Sequence, residues 1–176
     1  IDTSMGLTPL EGLIMGTRSG DLDPAIISFI AEKEQLTIAE VNSILNKQSG
    51  VYGLSNGTSS DFRDLVEACE QGNEYATLAL DTYAYRVGIY IGAYTAAMQG
   101  VDVIVFTAGL GENNIVVRNK IGKYIEYLGT NINPERNQIR GEEIILSDED
   151  AKVITMVVPT NEESAIARET LRLVKA

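Results

Sequence analysis

Apolar positions along the chain fall first into helical spacing and later into strand-like runs. Residues 7–23 carry no regular period, because Gly12, Gly16 and Gly20 interrupt anything continuous. Pro24 suits a first helical turn with Asp23 as its cap, and Ile26, Ile27, Phe29 and Ile30 supply an apolar face. Thr37 and Glu40 stand at capping-box spacing and open a second helix, which Gly50 ends. Residues 51–60 read as a polar, Gly-rich connection, after which Ser60 or Asp61 caps a helix reaching Gln71. The longest helical stretch is 73–99, where Leu78, Thr82, Tyr85, Ile89, Gly92 and Ala96 recur at helical spacing. Gly88, Gly92 and Ala96 lie four apart on one face, so another backbone can approach closely: a core neighbour or a second subunit.

The period then changes. Residues 101–107 form a continuous apolar run, the pattern of a strand covered on both faces. It ends in Ala108-Gly109-Leu110-Gly111-Glu112-Asn113, and a helix follows over 114–128. Residues 144–146 read as a short strand and 153–158 as a second buried one. Thr160-Asn161-Glu162-Glu163 matches a capping box leading into a last helix that ends near Lys175. Strand, loop, helix, strand, helix implies α/β layering in one domain.

Composition narrows the chemistry. The 14 Lys and Arg against 25 Asp and Glu give a formal charge of −11, which repels a nucleic-acid backbone. The apolar runs are too short to span a bilayer, and no basic-then-apolar leader opens the chain, so the expected compartment is the cytoplasm. A single cysteine, Cys69, excludes an intrachain disulfide framework and a cysteine-based metal cluster. Histidine is absent, which removes Ser-His-Asp and Cys-His catalysis and His-ligated zinc from this chain. What remains is carboxylates, Arg, Lys, backbone amides and a hard metal ion.

Four segments could carry such chemistry. Gly109 and Gly111 stand at a strand's C-terminal end, where backbone N–H groups can approach an anionic or planar ligand. A dinucleotide fingerprint needs a third glycine where Asn114 stands, and no Walker sequence occurs; a plain turn is the competing reading. Arg18, between Gly16 and Gly20, offers a planar donor toward an anion, or else pairs with Asp21 in an exposed loop. Asp61, Phe62 and Arg63 could flank a base or ribose, or could be a helix cap beside a core Phe. Glu163 fits the capping box, which leaves Glu162 as the spare carboxylate for a hydrated magnesium ion.

In this order and spacing the blocks resemble one family. Asp2-Thr3-Ser4-Met5-Gly6-Leu7-Thr8-Pro9-Leu10-Glu11-Gly12-Leu13 and Met15-Gly16-Thr17-Arg18-Ser19-Gly20-Asp21-Leu22-Asp23-Pro24 are similar to the acetate kinase signature. Ser60-Asp61-Phe62-Arg63, Val105-Phe106-Thr107-Ala108-Gly109-Leu110-Gly111-Glu112-Asn113 and Thr160-Asn161-Glu162-Glu163 continue the likeness, which covers essentially the whole chain. The resemblance implies a ribonuclease H-like domain of the actin/Hsp70/hexokinase-type ATPase superfamily, a mixed sheet flanked by helices, with phosphate passing between ATP and acetate to give acetyl phosphate and ADP.

Carried over by position, Arg18 would stabilise the phosphoryl group in flight and Pro9 would sit beside the acetate methyl pocket. Asp61, Phe62, Arg63 and Gly109, Leu110, Gly111, Glu112, Asn113 would line the ATP site, and Glu162 would bind Mg2+. Residues 1–176 are then expected to be the C-terminal nucleotide-binding domain of such a kinase, dimeric through this domain. The family's first domain would hold its catalytic aspartate and histidine, so the chain alone is expected to be inactive. Propionate kinase, of the same family, is poorly separated from acetate kinase by these residues. A non-catalytic dimerisation or nucleotide-binding module is the alternative from another class, and a dinucleotide-dependent enzyme is the third.

Overall fold

The computed structural model describes residues 2–175; Ile1 and Ala176 lie outside the described residues. One long helix, α5 (Glu74–Met98), collects the others. Asn73 caps it, its side chain accepting from the Ala76 N–H at 3.0 Å, and Gln99 ends it in a left-handed turn at φ 61°. Before it stand α1 (Ala25–Lys33), α2 (Ile38–Lys47), α3 (Gly50–Leu54) and α4 (Phe62–Glu70). After it come β1 (Val103–Phe106), α6 (Ala108–Asn113), α7 (Ile115–Ile125), β2 (Ile144–Ile145), β3 (Ile154–Val157) and α8 (Glu162–Val174). Short 3-10 turns cover Glu126–Leu128 and Arg136–Gln138.

The strands form a mixed sheet in the order β1-β3-β2, with β1 parallel and β2 antiparallel to β3. Val103 pairs with Ile154 and Phe106 with Val157, so β1 and β3 end side by side. Ile104, Phe106 and Val157 turn inward, where Leu65, Leu80, Ala84, Val117, Ile121 and Leu146 complete the core. α4 and α7 both pack on α5, and an edge-on contact between Phe62 and Tyr83, 4.6 Å between centroids, helps seat α4.

Several sequence expectations need correction. The run at 101–107 is not covered on both faces: Val103 and Val105 remain 42% and 47% exposed, alternating with the buried Ile104 and Phe106. The apolar face read into α1 is also open, with Phe29 59% exposed and no residue of the helix buried. The 51–60 connection is not irregular, since α3 occupies its first part. Gly50 begins that helix rather than ending α2; at φ +64°, a Cβ there would stand 2.3 Å from the Met15 carbonyl oxygen. α8 is capped by Asn161, which accepts from the Ser164 N–H at 2.9 Å, and not by Thr160. No helix among the described residues is long and apolar enough to cross a membrane.

The small-residue face of α5 receives a core neighbour at its Gly88 end. Gly88 is buried, and a Cβ on it would lie 2.6 Å from the Tyr124 Cβ of α7. At Gly92 the nearest atom is the Tyr127 hydroxyl at 3.2 Å, which can swing away. Gly88→Val is therefore expected to lower unfolding stability by about 1–3 kcal/mol through overpacking. Gly92→Ala should be neutral or stabilising, since alanine favours a helix interior. Urea unfolding of both variants checks this contrast; equal effects would mean that α7 does not rest on α5 at Gly88.

Candidate functional site

The C-terminal ends of the parallel strands β1 and β3 face a group of loops, the usual place for a ligand in an α/β sheet. Beside them a cavity of about 810 Å³ opens between α4 and the α6–α7 segment, a size suited to a small organic ligand. Ser60, Asp61, Phe62 and Arg63 form one rim, and Val66, Glu67 and Glu70 extend that wall along α4. Gly109, Leu110 and residues 113–116 form the opposite wall, with Arg140 reaching in from a separate loop.

The segment at 109–113 divides its tasks. Gly109 has open space where a Cβ would be, with no atom within 4 Å, so nothing in the fold itself demands glycine there. Gly111 instead backs onto β1, where a Cβ would meet the Phe106 carbonyl carbon at 3.1 Å. Glu112 does not face the cavity. Its Oε1 accepts from the Thr160 N–H at 2.7 Å and from the Thr160 hydroxyl at 2.5 Å, while Thr160 Oγ1 accepts from the Ala108 N–H at 3.0 Å. These bonds hold the Glu112 carboxyl below its ordinary range, Thr160's side-chain bond contributing most. They also explain why Thr160 leaves the cap of α8 to Asn161. Ala108 itself sits at φ +58°, a left-handed position that non-glycine residues adopt reluctantly.

Asp61 caps α4 by accepting from the Arg63 N–H at 2.8 Å, and it also pairs with the Arg63 guanidinium at 2.6 Å. The side-chain bond, then the backbone one, lower its pKa to about 2. Phe62 lines the cavity but turns its ring against Tyr83, so it serves the core as well.

Arg18 lies outside the cavity lining, yet its loop is fixed beside it. The Val51, Tyr52 and Ser49 N–H groups donate to the Met15, Gly16 and Thr17 carbonyls at 3.0, 2.9 and 3.0 Å. Gly16 in turn packs on Ser60, where a Cβ would stand 3.1 Å from the Ser60 carbonyl oxygen. Asp21, the sequence-level partner for Arg18, is taken elsewhere: it accepts from Gly12 N–H, Arg86 and Tyr90 at 2.9, 2.5 and 2.9 Å. The Arg18 guanidinium makes one hydrogen bond among the described residues, to the Met15 sulfur at 3.5 Å. Half-buried and without a carboxylate, its guanidinium keeps its donors for an anion.

Pro9 is exposed and lines neither this cavity nor a second one of about 350 Å³, to which its neighbours Thr8 and Leu10 contribute. Glu162 is the exposed first residue of α8, two residues beyond the Thr160 contact. Among the described residues no three His, Cys, Asp or Glu side chains gather at a metal-sized site. A cation at Glu162 would need phosphate and water for its other ligands, which suits magnesium.

Two arginines escaped the sequence reading. Arg118 is fully buried with no carboxylate beside it. Its Nε donates to Asn137 Oδ1 at 2.7 Å, Nη1 to the Gly111 and Glu112 carbonyls at 2.8 and 2.9 Å, and Nη2 to the Asn137 and Ile139 carbonyls at 2.9 and 2.7 Å. It thereby ties the wall at 109–113 to the loop that delivers Arg140. Burial and then the nearby Arg140 charge lower its pKa. The available signal was a charge beside Val117, Ile121 and Ile125 on a core-facing helix. Glu67 and Glu70, also missed, follow Arg63 and Val66 at the spacing of one α4 face.

Removing Arg118 leaves several buried carbonyls unpaired, so Arg118→Met should cost about 3 kcal/mol or more, with Arg118→Lys recovering little because an ammonium lacks the fork. Thermal unfolding checks this, and full rescue by lysine would exclude the fork. For Asp61 the folded pKa is depressed, so its contribution is present above the ordinary carboxylate range and is lost as pH falls toward about 2. Asp61→Ala should therefore weaken the cap of α4 at neutral pH, measured by amide exchange, and converge on the parent as pH falls through about 2.

Known proteins resemble the chain in sequence and fold. A family profile described as the acetokinase family matches residues 1–168. The acetate kinase of Lachnoclostridium phytofermentans is 60% identical over 99% of this chain and 44% of its own length. In fold, the crystal structure of Porphyromonas gingivalis acetate kinase matches with a TM-score of 0.90 at 48% identity, covering 97% of this chain and 43% of that one. The propionate kinase of Francisella tularensis matches with 0.89 at 38% identity, covering 96% and 43%. This chain thus spans less than half the length of the relatives it matches, and it belongs to the acetokinase family.

Proposed function

We propose that this chain is the C-terminal nucleotide-binding domain of an acetate kinase, which as a whole protein transfers phosphate between ATP and acetate, giving acetyl phosphate and ADP. The observation that carries the reading is the cavity of about 810 Å³ at the strand ends, where Gly109 leaves room for close approach. The proposed superfamily is that of the ribonuclease H-like actin/Hsp70/hexokinase-type ATPases, in keeping with the parallel β1–β3 pair.

In this reading Asp61, Phe62, Arg63, Gly109, Leu110 and Asn113 hold the nucleotide, while Gly111 and Glu112 act from behind by shaping the wall. Glu162 would hold Mg2+, which neutralises phosphate charge when bound. Arg18, fixed by α3 and free of carboxylates, would stabilise charge on the transferred group; in well-studied phosphotransferases such an arginine is worth about 10³–10⁵ in rate. Pro9 would border the acyl group. The similarity to both an acetate and a propionate kinase leaves propionate as the alternative acyl substrate. A non-catalytic nucleotide-binding or dimerisation module is the alternative from another class. Homodimer formation through this domain and a cytoplasmic location complete the proposal. With no histidine in the chain, turnover of acetate by this chain alone is expected to be absent.

Calorimetric titration of the chain with ADP and magnesium tests the reading. Binding that depends on magnesium in the parent and loses that dependence in Glu162→Ala is expected. Absence of ADP binding refutes nucleotide binding by this chain, and binding of NAD in its place refutes the kinase reading itself. Robust acetyl phosphate formation by the pure chain would overturn the expectation of inactivity.

A further inference from the structure

Arg140 enters the cavity from a loop that belongs to neither main wall. Its position is well fixed: the preceding Ile139 carbonyl accepts from Arg118 at 2.7 Å, and the following Gly141 N–H donates to the Glu112 carbonyl at 3.2 Å. The guanidinium itself takes part in no hydrogen bond or ion pair among the described residues, whereas the cavity's other arginine, Arg63, is held by Asp61.

The cavity lining decides what Arg140 meets. Its loop is anchored at the Glu112 carbonyl, toward the C-terminal end of α6. The chain continues there into Ile115 and Val116, and with Leu110 and Val66 these give the cavity its apolar lining. With Glu67 and Glu70 on the facing wall repelling phosphate, this apolar lining beside Arg140 suits a flat, uncharged ring.

We infer that Arg140 is a nucleotide-recognition residue whose planar guanidinium stacks on the purine base. This inference rests on the reading of the cavity as a nucleotide site. A guanidinium over an aromatic face is favoured by the ring's quadrupole and by its own weak hydration, and a flat ring fits between it and the apolar wall.

The test is ADP titration, with magnesium, of the parent chain, Arg140→Ala and Arg140→Lys. Thermal unfolding should be unchanged, because the side chain is exposed. Arg140→Ala is expected to weaken ADP binding by about tenfold, with Arg140→Lys recovering less than half of the loss because the plane is gone. Recovery of more than half by lysine identifies a contact of charge alone and overturns base stacking. Undiminished ADP binding in Arg140→Ala overturns any role for Arg140 while leaving the nucleotide site intact. A parent chain that binds no ADP removes the nucleotide reading, and this inference goes with it.

Discussion

The buried guanidinium of Arg118 is the constraint on which the candidate site depends. A charge withdrawn from water without an opposite charge is costly, and it persists only when every donor is matched. Here the match comes from four backbone carbonyls and one side-chain amide oxygen. Two of those carbonyls, of Gly111 and Glu112, lie toward the C-terminal end of α6, where carbonyls are otherwise left without helical partners. The other carbonyls belong to Asn137 and Ile139, some twenty residues along the chain. One side chain thus satisfies a helix end and an irregular loop together, and in doing so sets the distance between two parts of the cavity wall.

The same device recurs at smaller scale around the cavity. Glu112 draws Thr160 and so brings the start of α8 to the end of β1. Asp21 gathers Gly12, Arg86 and Tyr90, binding the Gly-rich opening segment to α5; burial first, then that hydrogen bond, pushes the Tyr90 hydroxyl up to about 12. The first N–H groups of α3 hold the Arg18 loop. Each clamp spends a polar side chain or helix end on positioning, which leaves Arg18, Arg140 and Glu162 with their donors and acceptors free. Rigid loops bearing uncommitted charges are what a positioning site requires.

Much of this was legible in the sequence, and the failures have physical reasons. Helices with a cap and several turns, α2 after Thr37, α4 after Asp61 and α5 after Asn73, stand where spacing put them. The short α3 and α6 were read as loops, because a helix of one or two turns shows too little period to detect. The run Val103-Ile104-Val105-Phe106 carries no mark of which face will be covered, so its open side was invisible. Thr160 stood at capping-box spacing, but the Glu112 carboxylate competes for it from another element. Of the residues carried over by family likeness, Asp61, Phe62, Arg63, Gly109, Leu110 and Asn113 do meet around one cavity. Arg118 and Arg140 were missed because their roles arise from contacts between distant loops, which no local pattern records.

The titratable groups around the cavity also bear on what kind of chemistry it can support. A general acid or base at neutral pH needs a carboxylate raised toward 7 or a lysine lowered toward it. Here the shifted carboxylates move the other way: Asp61 is held at about 2 by Arg63, and Glu112 is lowered by Thr160. Both remain anionic acceptors throughout the physiological range, fit for holding backbone and side chains and unfit for carrying protons. The cavity offers charge and shape through the guanidinium groups of Arg63 and Arg140, the carboxylates of Glu67 and Glu70 and an exposed stretch of backbone at Gly109. The phosphoryl transfer proposed for the whole protein makes that demand, since positioning and electrostatic stabilisation, with little covalent work by the protein, supply most of its acceleration.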